Sequence, residues 1–382
     1  MPKLAQCDLC TGCTACAAIC SRGCITMAAD ADGFLHPAVN EGSCIGCGLC
    51  ERVCPVVHPP VLTHTPDACA AWTRDEDSRL KSTSGGVFPE LARDVLDRGG
   101  AVFGAAYADD FRVIHICAEN ITDLDRLRGA KYAQSDLGDS FRDVKRRLEN
   151  GQQVLFSGTP CQCLGLKAYL QKDHTNLLLV DLVCHSVPSP LAWEQFLAHI
   201  SGEKTLAAVN LRSKDTGWSR YGYCNRFDFS DGTSRLDRSG ESLYMKLFVG
   251  GYITRPACEN CPAKGYARVS DLTLGDFWGI WDIAPELDDD KGTSLVLVQT
   301  EKGRAAMARL EQRAVTTEQA SRENAAILRP AGHQPLREQA MARIRAGDLP
   351  GAASLIPAPP TSRKPGLLER AGRFLKRKLR GA

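Results

Sequence analysis

Cys10-Thr11-Gly12-Cys13-Thr14-Ala15-Cys16-Ala17-Ala18-Ile19-Cys20, and again Cys44-Ile45-Gly46-Cys47-Gly48-Leu49-Cys50-Glu51-Arg52-Val53-Cys54-Pro55, write the spacing CxxCxxCxxxC twice. Thiolates three residues apart can wrap one cubane four-iron, four-sulfur cluster, and in a doubled run the fourth cysteine of each reaches across to the other cluster. The pattern assigns Cys10, Cys13, Cys16 and Cys54 to one 4Fe-4S cluster, and Cys44, Cys47, Cys50 and Cys20 to a second. Cys7 also stands three residues before Cys10, but a frame starting there needs a cysteine where the chain has Ala17. The competing explanations are zinc knuckles, which need separate tetrahedral four-cysteine sites, and a disulfide framework, which needs an oxidising compartment. The doubled spacing favours clusters. Cys7 and Cys24 are left over and read as small buried hydrophobes beside them.

Outward from this module, 382 residues leave room for one large domain or two ordinary ones. A linker is written at His58-Pro59-Pro60-Val61-Leu62-Thr63-His64-Thr65-Pro66. The first residues offer no apolar core of a signal peptide, and no stretch approaches the roughly 20 apolar residues of a spanning helix, so a cytoplasmic protein is expected. Eighteen cysteines suit a reducing compartment when most of them hold metal. The net charge of +2 is unevenly spread, because residues 363–382 hold eight Lys or Arg against Glu369. Leu367, Leu368, Ala371, Phe374, Leu375 and Leu379 recur there at near-helical spacing among the cations, which suits peripheral contact with the inner face of an anionic membrane or a solvated terminal helix. No nucleic-acid partner is expected.

Between the linker and the tail, helical and β-rich patterns alternate, which predicts a mixed α/β body. Helices are expected over 87–96 and 137–148 and from about Leu191 and Ser242. Strands are expected over 101–106, 113–117, 154–156, 177–183, 209–212, 223–229, 272–274 and 295–299. Four segments there combine glycine, cations or cysteine near strand and helix ends, where open α/β sheets bind ligands. Ser82-Thr83-Ser84-Gly85-Gly86 precedes a helix and could turn backbone N–H groups toward a phosphate. Gly129-Ala130-Lys131-Tyr132 sets a cation beside an aromatic ring. Phe156-Ser157-Gly158-Thr159-Pro160-Cys161-Gln162-Cys163 ends a strand and opens a helix, and Cys258-Glu259-Asn260-Cys261 offers two thiolates to one metal. Asp288-Asp289-Asp290 reads as a solvated loop, since consecutive carboxylates cannot all turn to one ion.

Ser84-Gly85-Gly86, Ala130-Lys131-Tyr132, Gly158-Thr159-Pro160-Cys161-Gln162, Asp181-Leu182-Val183-Cys184-His185, the CxxC at Cys258 and Cys261, and Leu274-Gly275-Asp276-Phe277-Trp278-Gly279 follow one another in order. Over roughly residues 5 to 300 this order resembles the beta subunits of the coenzyme F420 hydrogenase and dehydrogenase family. The resemblance implies an α+β ferredoxin-like N-terminal module followed by a mixed α/β flavin-binding domain. The implied organisation is 1–57 for the two-cluster domain, 58–66 for the linker, 67–150 and 151–330 for the two parts of the family domain, and 331–382 for a helical and basic amphipathic tail. It further implies FAD held by Ser84, Gly85, Gly86, Lys131 and Tyr132, and a third 4Fe-4S cluster on Cys161, Cys184, Cys258 and Cys261, with Cys163 the rival of Cys184. Coenzyme F420 is an expected substrate of such a site, but Ser186 and Cys163 stand where the family commonly has glycine and an apolar residue, so another small molecule is open. Relatives include a plant chlorophyll-derivative reductase and bacterial proteins associated with polysaccharide biosynthesis.

The expected activity is therefore that of an iron–sulfur flavoprotein oxidoreductase. It would pass electrons between a one-electron redox partner such as ferredoxin and a two-electron substrate, since clusters exchange single electrons and a flavin two. His185, Asp276 and Trp278 are expected to line the substrate side. The alternative is an electron-transfer adaptor with no small substrate of its own. Cys69, Cys117 and Cys224 lie outside the motifs and read as buried thiols.

Overall fold

The computed structural model describes residues 2–238 and 240–357, so the cationic segment 363–382 lies outside the described residues. The N-terminal module is a hairpin of β1 (Ile25–Ala29) and β2 (Leu35–Val39) flanked by two short helices, Ala15–Ile19 and Leu49–Arg52. Each helix starts from a residue in the left-handed region, Thr14 at φ 68° and Gly48 at φ 71°. The doubled motif thus folds as a doubled turn, with glycine at the strained position in one copy and threonine in the other. A non-glycine residue held there costs on the order of 1 kcal/mol.

The body is built on β3 (Asp67–Trp72), β4 (Ala101–Tyr107), β5 (Val113–Ala118), β6 (Val154–Ser157), β7 (Leu177–Leu182), β8 (Leu206–Ser213), β9 (Cys224–Phe229), β10 (Ser234–Arg238), β11 (Leu272–Asp276), β12 (Ser294–Val298) and β13 (Glu311–Val315). Eight of these form one sheet in the order β13-β3-β12-β11-β7-β6-β4-β5. Its centre, β11-β7-β6-β4, is parallel and its edges are antiparallel. Central strands covered on both faces must read as continuous apolar runs, which is why Leu177-Leu178-Leu179-Val180 and Leu295-Val296-Leu297-Val298 carry no alternation. Segments 67–150 and 151–330 both contribute strands to this sheet, so they share one core.

One face of the sheet packs on the helix Val87–Asp97 through Val87, Leu91, Ala92 and Val95. The other face packs on the helices Ser140–Glu149 and Pro160–Leu170, and Cys13, Ala15 and Val53 of the N-terminal module enter that same core beside Phe141, Phe156 and Tyr169. Gly165 is what lets the module approach, since a Cβ there would meet Cys13 Cβ at 2.8 Å and Cys13 Sγ at 2.9 Å. A second clamp is ionic: Asp32 of the β1–β2 turn pairs with Arg337 at 3.0 Å and Arg345 at 2.5 Å, all on largely covered side chains. The sheet β10-β9-β8 forms a separate layer with the helices Pro190–Ser201, Leu243–Val249 and Arg337–Arg345.

Most sequence expectations for these elements agree with the observed spans to within three residues, and β3, β10, β13 and the β1–β2 hairpin are additional. Asp288-Asp289-Asp290 is a largely exposed loop, as expected, and its carboxylates also have partners within the protein. Asp289 takes a two-point ion pair from Arg79 (2.7 and 2.8 Å), Asp290 caps the N–H groups of Trp218 and Ser219, and Asp288 accepts from Ser219 Oγ. Cys7 is exposed rather than buried, and Cys117 is only half-buried. Cys24, Cys69 and Cys224 are buried as expected.

Candidate iron–sulfur and flavin sites

Three cavities are ringed by cysteine. The first, with about 350 Å³ of empty space, is lined by Cys10, Cys13, Cys16 and Cys54. The second, about 550 Å³, is lined by Cys20, Cys44, Cys47 and Cys50 with Cys24 beside them. The crossing of the fourth cysteine between runs is thus reproduced in space. The third, about 450 Å³, is lined by Cys161, Cys184, Cys258 and Cys261 with His185 and Lys264.

The third cavity is assembled at the carboxyl ends of the parallel strands, where an α/β sheet leaves loops free to converge. β6 runs into Gly158-Thr159, whose capping box starts the helix that presents Cys161, and β7 runs out through Val183 to Cys184. The turn Pro256–Asn260 brings Cys258 and Cys261. Thr159 Oγ1 lies 3.2 Å from Cys161 Sγ, and the Val187 N–H points at Cys258 Sγ at 3.4 Å. Cys163 takes another course: its thiol turns to the carbonyl oxygens of Val180 (3.6 Å) and Gly158 (3.9 Å), away from this cavity. Burial pushes the Cys161 thiol up to about 11, that of Cys258 up to about 12, and that of Cys184 well above its ordinary range. Such thiols stay protonated until a cation takes them as thiolates. Cys20 in the second cavity behaves oppositely: the little burial it has raises it, but hydrogen bonds from Cys24 and from backbone N–H groups outweigh that and draw it below the usual thiol range.

The first and third cavities share a wall at Thr11, whose buried Oγ1 has no hydrogen-bond partner in the protein. A hydroxyl left without an acceptor between two cysteine rings suits a sulfur-bearing cluster on either side, because burying it unsatisfied would cost about 1–3 kcal/mol. The donor chemistry and this orphan hydroxyl fit iron–sulfur clusters.

The residues expected at the flavin site are joined by side chains that the motifs did not include. Lys131 is half-buried, donates to the carbonyl oxygens of Arg126 and Arg128, and lies 5.8 Å over the Tyr107 ring. Tyr132 receives Arg212 on its hydroxyl at 2.9 Å. Arg212 is buried, pairs with Asp276, and stacks on Tyr223 (3.9 Å), Trp218 (4.8 Å) and Trp278 (5.2 Å). Lys214, two residues along, donates to the carbonyl oxygens of Ser84 (2.7 Å) and Arg79. Ser84 and Tyr132 are thereby bridged by one strand end. Ser84 Oγ is occupied by the Thr293 carbonyl and the Gly85 N–H by Ser294 Oγ, and a Cβ on Gly85 would meet the Ala71 carbonyl oxygen at 2.4 Å. The Gly85 N–H is therefore spent on packing, and Gly86, at φ 76°, heads the helix Val87–Asp97. Burial lowers Lys131 and Lys214 to about 7, for Lys214 with help from Arg79, and Arg212 Nε is buried without an acceptor. Desolvated cations beside flat aromatic faces fit an anionic ring cofactor.

His185, Asp276 and Trp278 divide between the sites. His185 lines the third cysteine cavity and sets its ring edge-on to Phe248 at 5.3 Å, while Tyr132 meets the same Phe248 at 5.2 Å. Asp276 and Trp278 belong to the Arg212 group, with Trp278 stacked on Tyr221 at 4.4 Å. His185 and Phe248 thus lead ring by ring from the third cysteine cavity to Tyr132. Sequence reasoning missed Arg212 and Lys214, whose only signal is that residues two apart at a strand end face the same side.

Two parts of the chain match family models. The family model for the C terminus of the coenzyme F420 hydrogenase/dehydrogenase beta subunit matches residues 151–323, and that for a 4Fe-4S dicluster domain matches residues 9–57. Residues 151–323 thus resemble this family's C-terminal domain. The dicluster match lies ahead of it. A curated relative, the F-type component of the F(420)H(2) dehydrogenase of Methanosarcina mazei, is 24% identical over 198 residues. That match covers 48% of this chain and 56% of the relative, so the chain spans about half the length of the curated relative it matches. Among solved structures, the F420-reducing nickel–iron hydrogenase complex from Methanosarcina barkeri includes a chain with TM-score 0.45 and 15% identity, covering 78% of this chain and 92% of that one. No helix among the described residues is long and apolar enough to cross a membrane.

Proposed function

We propose that this chain is an iron–sulfur flavoprotein oxidoreductase that connects a one-electron partner protein to a two-electron small-molecule substrate. In this reading Cys10, Cys13, Cys16 and Cys54, Cys44, Cys47, Cys50 and Cys20, and Cys161, Cys184, Cys258 and Cys261 hold three 4Fe-4S clusters. Cys184 rather than Cys163 supplies the fourth ligand of the third. Lys131, Tyr132, Arg212 and Lys214 hold FAD. Clusters supply one-electron exchange and a flavin converts it to a two-electron, hydride-level reaction. The observation that carries the reading is the geometric series: the second cavity with its exposed rim, the first sharing Thr11 with the third, and His185 and Phe248 between the third and Tyr132.

The chain's own residues do the placing. Ile45, 67% exposed, and the exposed Cys47 form the rim of the second cavity, where a donor such as ferredoxin can come close. Lys131 and Lys214 offer charge to an anionic cofactor, and Arg212 fixes the aromatic faces against which a ring can lie. The name of the Methanosarcina mazei relative makes F420 the first substrate to try. The relatives in polysaccharide biosynthesis and the basic tail make a membrane-surface acceptor the second.

Measuring released FAD per chain after anaerobic purification tests the reading. About one FAD per chain is expected. Protein that carries iron and acid-labile sulfide but neither contains nor takes up FAD would reject it in favour of an electron-transfer adaptor.

A further inference from the structure

Among the described residues Arg255 is the largest fully buried side chain, 1% exposed, and it lies between the first and third cysteine cavities. Its Nε donates to the Cys10 carbonyl oxygen at 2.7 Å, one Nη to Gln134 Oε1 at 2.9 Å, and the other to the Leu35 carbonyl oxygen at 2.9 Å. The second Nη also lies 3.3 Å from the ring of His36, which itself pairs with Asp30 at 3.1 Å, and the guanidinium sits 5.3 Å over Phe34. Among the described residues no carboxylate pairs with Arg255 itself, whereas Arg212, Arg79 and Arg337 each have one. A guanidinium cannot shed its proton to escape burial, so an unpaired buried one calls for a nearby anion.

The missing anion is supplied when four thiolates close on iron at each neighbouring cavity. We propose that Arg255 is the shared counter-charge of two iron–sulfur centres, the one on Cys10, Cys13, Cys16 and Cys54 and the one on Cys161, Cys184, Cys258 and Cys261, and that it raises the reduction potential of both. This rests on the three-cluster reading above. Each reduction adds one electron, delivered by the one-electron donor protein, and no proton accompanies it, so a fixed positive charge favours the reduced form. The guanidinium touches both sides: it donates to the backbone of Cys10 and lines the third cavity beside Cys161 and Cys258. Cys10, a hydrogen-bond partner of Arg255, lines the first cavity, whereas none of the partners of Arg255 lines the second, ringed by Cys20, Cys44, Cys47 and Cys50, which serves as the internal control. Gly12 keeps the contact open, since a Cβ there would meet Arg255 Nη1 at 3.0 Å.

The test is a redox titration of the anaerobically purified full chain, followed by electron paramagnetic resonance, for wild type, Arg255→Gln and Arg255→Lys. Arg255→Gln keeps hydrogen-bonding capacity and loses the charge, so the potentials of the two flanking centres should fall. The expected change is about tenfold in each one-electron equilibrium, ~59 mV for one electron, with the third potential unmoved. Arg255→Lys keeps the charge and should keep both potentials. Unchanged potentials in Arg255→Gln, or an equal fall at all three centres, overturn the proposal. If Arg255→Gln loses its clusters, Arg255→Lys decides: assembly with both potentials retained supports the counter-charge, and a tenfold fall in both contradicts it. Wild-type protein with about eight irons instead of twelve would defeat the three-cluster reading itself, a different failure from three intact clusters that ignore residue 255.

Discussion

The second and third cysteine cavities contain four matching ligand candidates each and differ in almost everything around them. At the second, Cys47 and Ile45 face solvent and hydrogen bonds draw the Cys20 thiol below its ordinary range. At the third, burial drives Cys161, Cys184 and Cys258 upward, and Arg255, Lys264 and Thr11 close the walls. Under the proposed function, identical ligand chemistry would serve two tasks. The exposed ring suits contact with another protein, and the covered ring suits passing an electron to a cofactor that must be kept from oxygen and water.

The largest expected effect comes from breaking the exposed end. Cys47→Ser should remove about four irons and slow reduction by an external one-electron donor at least ~10-fold, while leaving the covered centre assembled. Stopped-flow absorbance measures it, and an undiminished rate would place electron entry elsewhere. At the covered end, Arg212→Met strands Asp276 and releases Tyr132, with an expected cost of about 3–5 kcal/mol for a buried pair broken on one side. FAD retention through gel filtration should drop in parallel. Retained FAD would detach Arg212 from the flavin.

Gly165→Val probes the seam between the two regions. The added methyls push against Cys13, so about 1–3 kcal/mol of stability and the Cys10-set cluster should be lost together. Thermal unfolding and iron content both report it. The smallest expected effect is in His115, which lies under Phe156, bonds Ser135 Oγ at 2.9 Å, and is held down to about 4 by burial. As pH falls below the ordinary histidine range the unfolded chain takes up a proton that the folded one refuses, so stability declines. About 2 kcal/mol should be lost between about pH 7 and pH 5. In His115→Gln that part of the slope should vanish, and an unchanged slope would assign it to other groups.

Much of this was legible in the sequence because cysteine spacing is a local code. The doubled run groups the two cysteine sets that line the first and second cavities, and the apolar runs at 177–182 and 294–298 give buried central strands. What spacing cannot show is convergence over long separations. The choice between Cys163 and Cys184 depended on which face of the helix Pro160–Leu170 turns toward the loop after β7. Arg212 and Lys214 carry no motif of their own and gain meaning only when β8 comes to lie beside Tyr132 and Ser84. Cys7 shows the reverse limit, since a cysteine beside a ligand run gave no signal of its exposure.

The central claim is that the covered ring of Cys161, Cys184, Cys258 and Cys261 holds a third cluster. Iron and acid-labile sulfide per chain, measured on anaerobically purified wild type, Cys184→Ser and Cys163→Ser, test it most directly. The expected result is about twelve irons in wild type and in Cys163→Ser, and about eight in Cys184→Ser. About eight irons in all three, or a loss in Cys163→Ser with none in Cys184→Ser, would contradict it.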